Sequence, residues 1–413
     1  MGIALVAAGL AGQAADTIVI DTCYARARRH YPLSGQKELL EQSRSYTLAN
    51  LSRGQVPQLS INGQASYQSD VTALPFSLPT MQMPEPHKDQ YKLYAEAVQP
   101  ITDLLTVKYQ RSAVEAVSAT ESQKLEVELY KLNERVNQLF FGVLLIDAQM
   151  QLLDLLDADL QQGLDRTNAA IANGTSLRSN ADIVRAEMLR ATQRRIELHG
   201  SRTAFAGMLA LLCGMEIDAS AVFEMPEPPA PPTEISRPEL RLMDEQKIAA
   251  AAQDKLITAK TLPRLSLFAQ SGYGRPALNM LSSDFDFYYI GGLRMQWNIS
   301  SYYTSGRERQ LVKISQSMID AQRHTFELNV GIQHRQQTED VSKLMLIVDA
   351  DREIIALRQN IKNSFAAQLE NGTATAIDYI IQVHAQDRAR LDMLLHQMQL
   401  LQVQYATNYL MGQ

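Results

Sequence analysis

Few residues of this chain have types and spacings that could support catalysis or metal binding. The 413 residues include 7 histidines and 2 cysteines, and the histidines show no metal-ligand spacing with carboxylates or cysteines. No nucleophile lies beside a base with supporting residues, and the Gly-Tyr-Gly-Arg run at 272–275 is turn chemistry without a nucleotide-loop context. The sequence therefore predicts that the protein is not an enzyme and that it has no cofactor and no metal site.

The two cysteines, Cys23 and Cys213, are too few for a disulfide framework or a four-thiolate metal site. Each is expected to be a small buried apolar residue. In an oxidising compartment, a single Cys23–Cys213 bridge is the alternative.

Two carboxylates, Asp182 and Asp378, stand out because each ends an S/T-x-x-D pattern. The two patterns are Ser179-Asn-Ala-Asp182 and Thr375-Ala-Ile-Asp378. This is a variant of the capping box, in which a hydroxyl and a carboxylate satisfy free N–H groups at a helix start. Each aspartate is therefore predicted to cap a helix.

Four segments with alternating apolar and polar residues predict two strand pairs, 57–68 with 91–100 and 263–273 with 288–299. Their length and their one apolar face match the strands of outer-membrane barrels. Four strands cannot close a barrel, and open sheet edges are not tolerated in lipid, so several chains must contribute strands. On the polar faces, Lys92, Glu96 and Arg294 would line a water-filled lumen, or would be ordinary solvated strand positions.

Two long helices are predicted at 103–172 and 302–370, each ending at Asn-Gly, and shorter helices return at 177–214 and 375–411. The first long helix has an apolar seam in alternating steps of four and three residues, interrupted only at Asp157. A seven-residue repeat of this length is typical of a left-handed coiled coil. The seam consists of Leu125, Leu129, Leu132, Val136, Leu139, Val143, Ile146, Met150, Leu153, Leu160 and Leu164.

The chain has an internally duplicated plan, because the same elements occur in the same order twice. The first repeat is expected at 16–224 and the second at 235–413, each with a helix, a strand pair, a long helix and a returning helix. The proline-rich segment 225–234 links them. A duplication of this size is not an ordinary enzyme plan.

The chain start predicts export. A short apolar stretch followed by small residues indicates a signal peptide at 1–15. No other segment is expected to approach the ~18 apolar residues that a membrane-spanning helix needs. The net charge of −6 and the lack of a Lys/Arg-rich tract predict no binding of nucleic acid.

Together, the duplicated strand pairs, the long helices, the Asn-Gly-Thr turns and the Asp-Ile-Val-Arg and Asp-Tyr-Ile-Ile runs that follow resemble the TolC-like outer-membrane efflux proteins. The resemblance covers about 21–412. It implies a homotrimer whose twelve strands form a membrane β-barrel and whose twelve helices form a coiled-coil barrel in the periplasm. It also implies contact with outer-membrane lipid, a periplasmic adaptor protein and an inner-membrane transporter, and export of small toxic molecules or secreted proteins.

The resemblance further assigns roles to single residues. Asp378 would face the closed periplasmic end of the tunnel, with Asp182 as its counterpart, so that symmetry brings their charges into a carboxylate ring. The two helix tips would present the adaptor-docking surface, or would be ordinary helix turns; they comprise Asn173, Gly174, Thr175, Ser176, Asn371, Gly372 and Thr373.

The sequence departs from the family at the gate. A second tunnel aspartate falls on Ile381, and the latch tyrosine and arginine fall on Leu369 and Ala374. A latch in this chain must therefore be built from other residues.

The leading hypothesis is a passive exit duct in the outer membrane, and the alternatives lack a channel. One is a periplasmic coiled-coil structural or adaptor protein, which does not account for apolar strand faces with aromatic ends. A secreted enzyme is disfavoured because the sequence offers no convergent polar site.

Overall fold

A computed structural model describes residues 17–72, 87–218 and 220–413. The predicted signal peptide at 1–15 lies outside the described residues. The strands are β1 (Thr17–Ile18), β2 (Gln58–Tyr67), β3 (Asp89–Pro100), β4 (Val222–Phe223), β5 (Arg264–Arg275) and β6 (Asp286–Gln296). The helices are α1 (Ile20–His30), α2 (Gln36–Arg53), α3 (Thr102–Tyr130), α4 (Leu132–Ala172), α5 (Arg178–Cys213), α6 (Pro238–Thr261), α7 (Ser301–Glu370) and α8 (Ala376–Met411).

The chain folds into two compact units. The helical unit contains the described residues within 1–36, 125–240 and 324–413, and the sheet unit contains those within 37–124 and 241–323. Each unit combines segments from both predicted sequence repeats. The physical reason is that partners pair across the repeats, β3 with β5 in the sheet unit and α4 with α8 in the helical unit.

The sheet unit contains an antiparallel sheet in the order β2-β3-β5-β6. Ile61 lies opposite Ala95, Leu93 opposite Tyr273, and Leu267 opposite Leu293. Because opposite residues share a face and neighbours alternate, this register collects the apolar residues of all four strands on one face. That face carries Leu59, Ile61, Tyr91, Leu93, Leu267, Tyr273, Phe287, Tyr289, Leu293 and Met295.

The core of the helical unit follows the predicted seam. Leu125, Leu129, Leu132, Val136, Val143, Ile146, Leu153 and Leu160 are all buried. Helix α4 packs against α5 and α8, and β1 and β4 pair in parallel beside this core. The coiled-coil pattern in the sequence therefore identified the buried side of α4.

The helix predicted at 103–172 is interrupted, since α3 ends at Tyr130 and α4 begins at Leu132. Lys131 keeps helical dihedral angles, φ −62° and ψ −19°. Its N–H lies 3.4 Å from the carbonyl of Val127, a stretched contact for an intrahelical hydrogen bond. The interruption is thus a loosened hydrogen bond at one residue.

One described helical stretch, Thr102–Ala172, contains a window long and apolar enough to cross a membrane by composition. This corrects the expectation that no segment after the signal peptide would be apolar enough over ~18 residues to span a membrane. In α4, Phe140, Phe141 and Val143 are almost fully buried within the helical unit. Packing against neighbouring helices accounts for this apolar run.

Candidate functional site

The first helix tip, after α4, is built by a glycine in the left-handed region. Gly174 has φ +73°. The Thr175 N–H donates to the carbonyl of Ala170 at 2.9 Å, and the Gly174 N–H donates to that of Ile171 at 3.0 Å. This pair of bonds is a Schellman motif, which satisfies the last carbonyls of the helix.

The second tip, after α7, repeats that geometry. Gly372 has φ +69°, and the Thr373 N–H donates to the carbonyl of Gln368 at 2.9 Å. The Thr373 hydroxyl donates to the same oxygen at 3.1 Å. Helix termination thus accounts for both Asn-Gly-Thr sequences, and docking of a partner at the exposed tips stays a prediction.

Asp378 caps α8 as its sequence pattern predicts. The Asp378 N–H donates to Thr375 Oγ1 at 3.2 Å, and the Thr375 N–H donates to Asp378 Oδ2 at 3.0 Å. The Thr375 hydroxyl also donates to Oδ2, at 2.6 Å. These bonds hold the pKa of Asp378 below its ordinary value, so its carboxylate is charged at neutral pH.

Asp182 does not cap a helix, and that prediction is wrong. Helix α5 begins at Arg178, so Ser179 already lies inside its first turn, and the N-cap residue Leu177 has no side-chain acceptor. Asp182 is therefore too far along the helix to reach the free N–H groups at its start. It is exposed instead and pairs with Arg185, whose Nη1 lies 3.2 Å from Oδ1.

In the sheet unit, two of the three predicted lumen residues meet. Glu96 Oε1 accepts from Gln270 Nε2 at 2.9 Å and from Arg294 Nη2 at 3.1 Å. The Arg294 guanidinium also lies 4.6 Å from the ring centroid of Phe268. Lys92 shares this face but forms no ion pair with any described residue. The face opposite the apolar one thus carries an ordered charged group.

A buried charged cluster in the helical unit was not predicted. Lys362 on α7 is 7% exposed, and its Nζ lies 2.6 Å from Asp159 Oδ1 on α4. Arg390 Nη1 on α8 lies 3.8 Å from the other oxygen of Asp159. Burial raises the pKa of the neighbouring Asp387, which Arg390 partly offsets. This group, here called the Asp159 cluster, ties together α4, α7 and α8.

Further polar contacts surround the Asp159 cluster. Fully buried Gln386 donates to Gln359 Oε1, and Arg390 Nη2 donates to the same oxygen at 3.3 Å. The Tyr379 hydroxyl reaches the Asp159 carbonyl at 3.4 Å. Leu369, where the family resemblance places a latch residue, lies buried in an apolar core with Tyr379. Leu369 thus contributes apolar packing beside the polar contacts of the Asp159 cluster.

Within the described ranges, no group of three or more His, Cys, Asp or Glu side chains could hold a metal ion. The groups found at the tips, in the Asp159 cluster and on the sheet are ion pairs and helix caps. Their chemistry is that of charged surfaces and links between helices.

Comparison with known proteins gives matches by fold. No protein-family model and no curated protein sequence matches the chain. The outer membrane protein VceC of Vibrio cholerae matches with a TM-score of 0.68 and 12% identity, covering 95% of this chain and 96% of that one. The CmeC outer membrane channel of Campylobacter jejuni matches with a TM-score of 0.63 and 13% identity, covering 95% of this chain and 85% of that one. The MtrE outer membrane channel of Neisseria gonorrhoeae in its open state matches with a TM-score of 0.62 and 14% identity, covering 95% of this chain and 88% of that one.

The matched structures are outer membrane proteins and channels, and each match extends over almost all of this chain. The four-stranded sheet and the long helices are thus parts of one known architecture. The chain has the fold of the TolC-like outer-membrane channels.

Proposed function

We propose that this protein is the outer-membrane exit duct of a tripartite efflux or type I secretion system. It conducts small molecules passively across the periplasm and the outer membrane. The observation that carries the proposal is the exposed apolar face of the four-stranded sheet, whose outer strands β2 and β6 each have a single neighbour.

The apolar face suits lipid rather than water. Leu59, Ile61 and Tyr289 are 83%, 81% and 82% exposed in the single chain. In water, such a face beside two open strand edges would promote aggregation. In a bilayer, it would face lipid, provided that every edge strand is paired.

Three copies of the chain satisfy that condition. Strand β2 of one copy would pair with β6 of the next, closing a barrel of twelve strands. The helical unit also exposes large apolar side chains that another copy could cover. More than half of the surface is exposed for Leu189 and Ile196 on α5 and for Leu328, Ile332 and Leu346 on α7. A homotrimer would bury both sets of residues.

The same proposal places the helical unit in the periplasm. Tips Asn173–Ser176 and Asn371–Thr373 would then contact a periplasmic adaptor protein, which connects the duct to an inner-membrane transporter. The transporter would supply the energy. Asp378 and its counterpart Asp182 would contribute charge at the periplasmic aperture, and Lys92, Glu96 and Arg294 would line the barrel lumen.

The deciding experiment is the mass of the protein extracted from membranes, measured by light scattering corrected for bound detergent. We expect three chains in the outer-membrane fraction, each of 46.1 kDa less the mass of the predicted signal peptide. A soluble monomer or dimer would overturn the proposal and favour a periplasmic coiled-coil structural or adaptor protein.

Two adjacent substitutions sharpen this experiment. Ile61→Arg places a charge on the apolar face, and Asn62→Arg places the same charge on the opposite face of the same strand. An arginine facing lipid costs about 2–4 kcal/mol near the bilayer midplane. Only Ile61→Arg should therefore reduce the amount of trimer in the membrane.

A second pair of variants separates the two roles of Asp378. Asp378→Asn removes the charge, whereas Thr375→Ala weakens the helix cap and keeps the charge. If three Asp378 side chains line the aperture, Asp378→Asn should lower cation selectivity and Thr375→Ala should not. The measurement is the reversal potential of single channels in a salt gradient. Equal selectivity in both variants and the wild type would leave Asp378 with capping alone.

A further inference from the structure

The fold brings together the only two cysteines in the sequence. Cys23 lies on α1, and Cys213 is the last residue of α5. The Cys213 thiol donates to the backbone carbonyl of Cys23, with a sulfur–oxygen distance of 3.5 Å across 190 residues of chain. Both residues belong to the helical unit. The two side chains are also close enough to form a hydrogen bond with each other.

The surroundings give neither thiol another use. Cys23 is 0% exposed and Cys213 is 2% exposed, in a core that also contains Ile20, Ala27 and Leu209. The Cys23 thiol donates a hydrogen bond to the Cys213 sulfur, and this bond together with burial raises the pKa of Cys23. The same bond lowers the pKa of Cys213. Both sulfurs are closed off from solvent and substrate by this burial, and the raised pKa further makes Cys23 a poor nucleophile and a poor metal ligand in the folded protein. The pair is therefore suited to a structural link rather than to catalysis.

We propose that Cys23 and Cys213 form a disulfide that joins the start of the described chain to the end of α5. The proposal rests on the proposed periplasmic location of the helical unit, because disulfides persist in oxidising compartments. The S–S bond would fasten α1 against α5 and close a long loop, which restricts the unfolded chain.

The oxidation requires an acceptor of two electrons and two protons. A disulfide of an exported thiol–disulfide oxidoreductase fits this role. One cysteine thiolate attacks that disulfide and forms a mixed disulfide, releasing one thiol of the oxidant. The second cysteine then attacks the mixed disulfide, so the S–S bond forms in the chain and the oxidant leaves as a dithiol. Because both sulfurs are buried after folding, the exchange takes place before α1 packs onto α5.

The test is thiol labelling of the full chain. Protein from the outer-membrane fraction is denatured without reductant in the presence of a maleimide that retards migration on a gel. We expect no label before reduction and two labels after it, with the unreduced chain lighter by two hydrogens in intact mass. Two labels on membrane-derived protein before reduction would overturn the proposal. A disulfide between two chains rather than within one would appear as a dimer band on the unreduced gel and would also overturn the proposal.

A second measurement separates this proposal from the proposed location. Reduced, unfolded protein is refolded in detergent with a mixture of reduced and oxidised glutathione. A Cys23–Cys213 link should form in the refolded chain wherever the protein is found in the cell. Native-like refolded protein that keeps two free thiols would overturn the link. A chain with the link that is recovered from the soluble fraction would overturn the duct and leave the link standing.

Discussion

Replacement of Lys362 by methionine should destabilise the helical unit by about 3 kcal/mol, because it leaves the Asp159 carboxylate without its closest cation. Lys362 and Asp159 side chains are 8% and 19% exposed, so water compensates little for the lost partner. Methionine has a similar length and retains the packing of the stem. Arg390, at 3.8 Å, offsets part of the loss, which places the value at the lower end for a broken buried pair.

Thermal unfolding of the detergent-solubilised protein measures this effect. The matched control is Lys343→Met on the same helix, since Lys343 Nζ pairs with Asp340 at 2.5 Å but is 61% exposed. An exposed pair contributes about 0–1 kcal/mol, so the control should melt close to the wild type.

A double variant tests whether charge or packing is responsible. Asp159→Asn combined with Lys362→Met removes both charges and should recover much of the lost stability. Equal melting of Lys362→Met and Lys343→Met would show that the Asp159 cluster does not hold α4 to α7. If the stability loss of the double variant equals the sum of the losses in the two single variants, the two side chains act independently.

The sheet could be predicted from sequence because its signal is local. Successive side chains of a strand point to opposite faces of the sheet, so a register shift of one residue would turn Ile61 and Leu93 to the wrong face. The alternation therefore determined both the strand limits and the shared apolar face on which Ile61 lies opposite Ala95. The pairing of β3 with β5 across the two repeats carries no such local signal.

The helices show the same division between local and distant information. The seven-residue pattern identified the buried side of α4, and its single interruption at Asp157 has a structural reason. Asp157 Oδ2 accepts from Arg195 Nη2 at 2.5 Å on the antiparallel α5. The loosening at Lys131 depends on a single stretched hydrogen bond, which sequence patterns do not report.

Among the site residues, contacts between residues close in sequence could be predicted, and contacts between distant residues could not. The Asp378 cap was predictable because both partners lie within one turn. The same pattern gave a wrong prediction at Asp182, because helix α5 already starts at Arg178 and its N-cap residue is Leu177. Asp159 and Lys362 are 203 residues apart, and charged residues are frequent on both helices, so nothing in the sequence pairs them.

A second large effect is expected at Arg237, which joins the segment before α6 to the end of α8. Its guanidinium is buried, donates to Glu239 Oε2 at 2.9 Å and donates to the carbonyl of Tyr409 at 3.0 Å. It also lies 5.0 Å from the ring centroid of Tyr130 and 4.9 Å from that of Tyr409. One planar cation thus binds a carboxylate, a carbonyl and two aromatic faces.

Arg237→Met should lower stability by about 3 kcal/mol, because it leaves the Glu239 carboxylate, only 16% exposed, unpaired and removes the contacts with both rings. Arg237→Lys should recover only part of the loss, since an ammonium group cannot bind the carboxylate through two nitrogens while it stacks on the rings. The control is Arg335→Met, because Arg335 is 82% exposed and its pair with Glu339 contributes about 0–1 kcal/mol. Thermal unfolding should therefore rank the variants as Arg335→Met, Arg237→Lys and Arg237→Met, from most to least stable. If Arg237→Lys melts with the wild type, charge alone holds this junction and the planar geometry of arginine is not required.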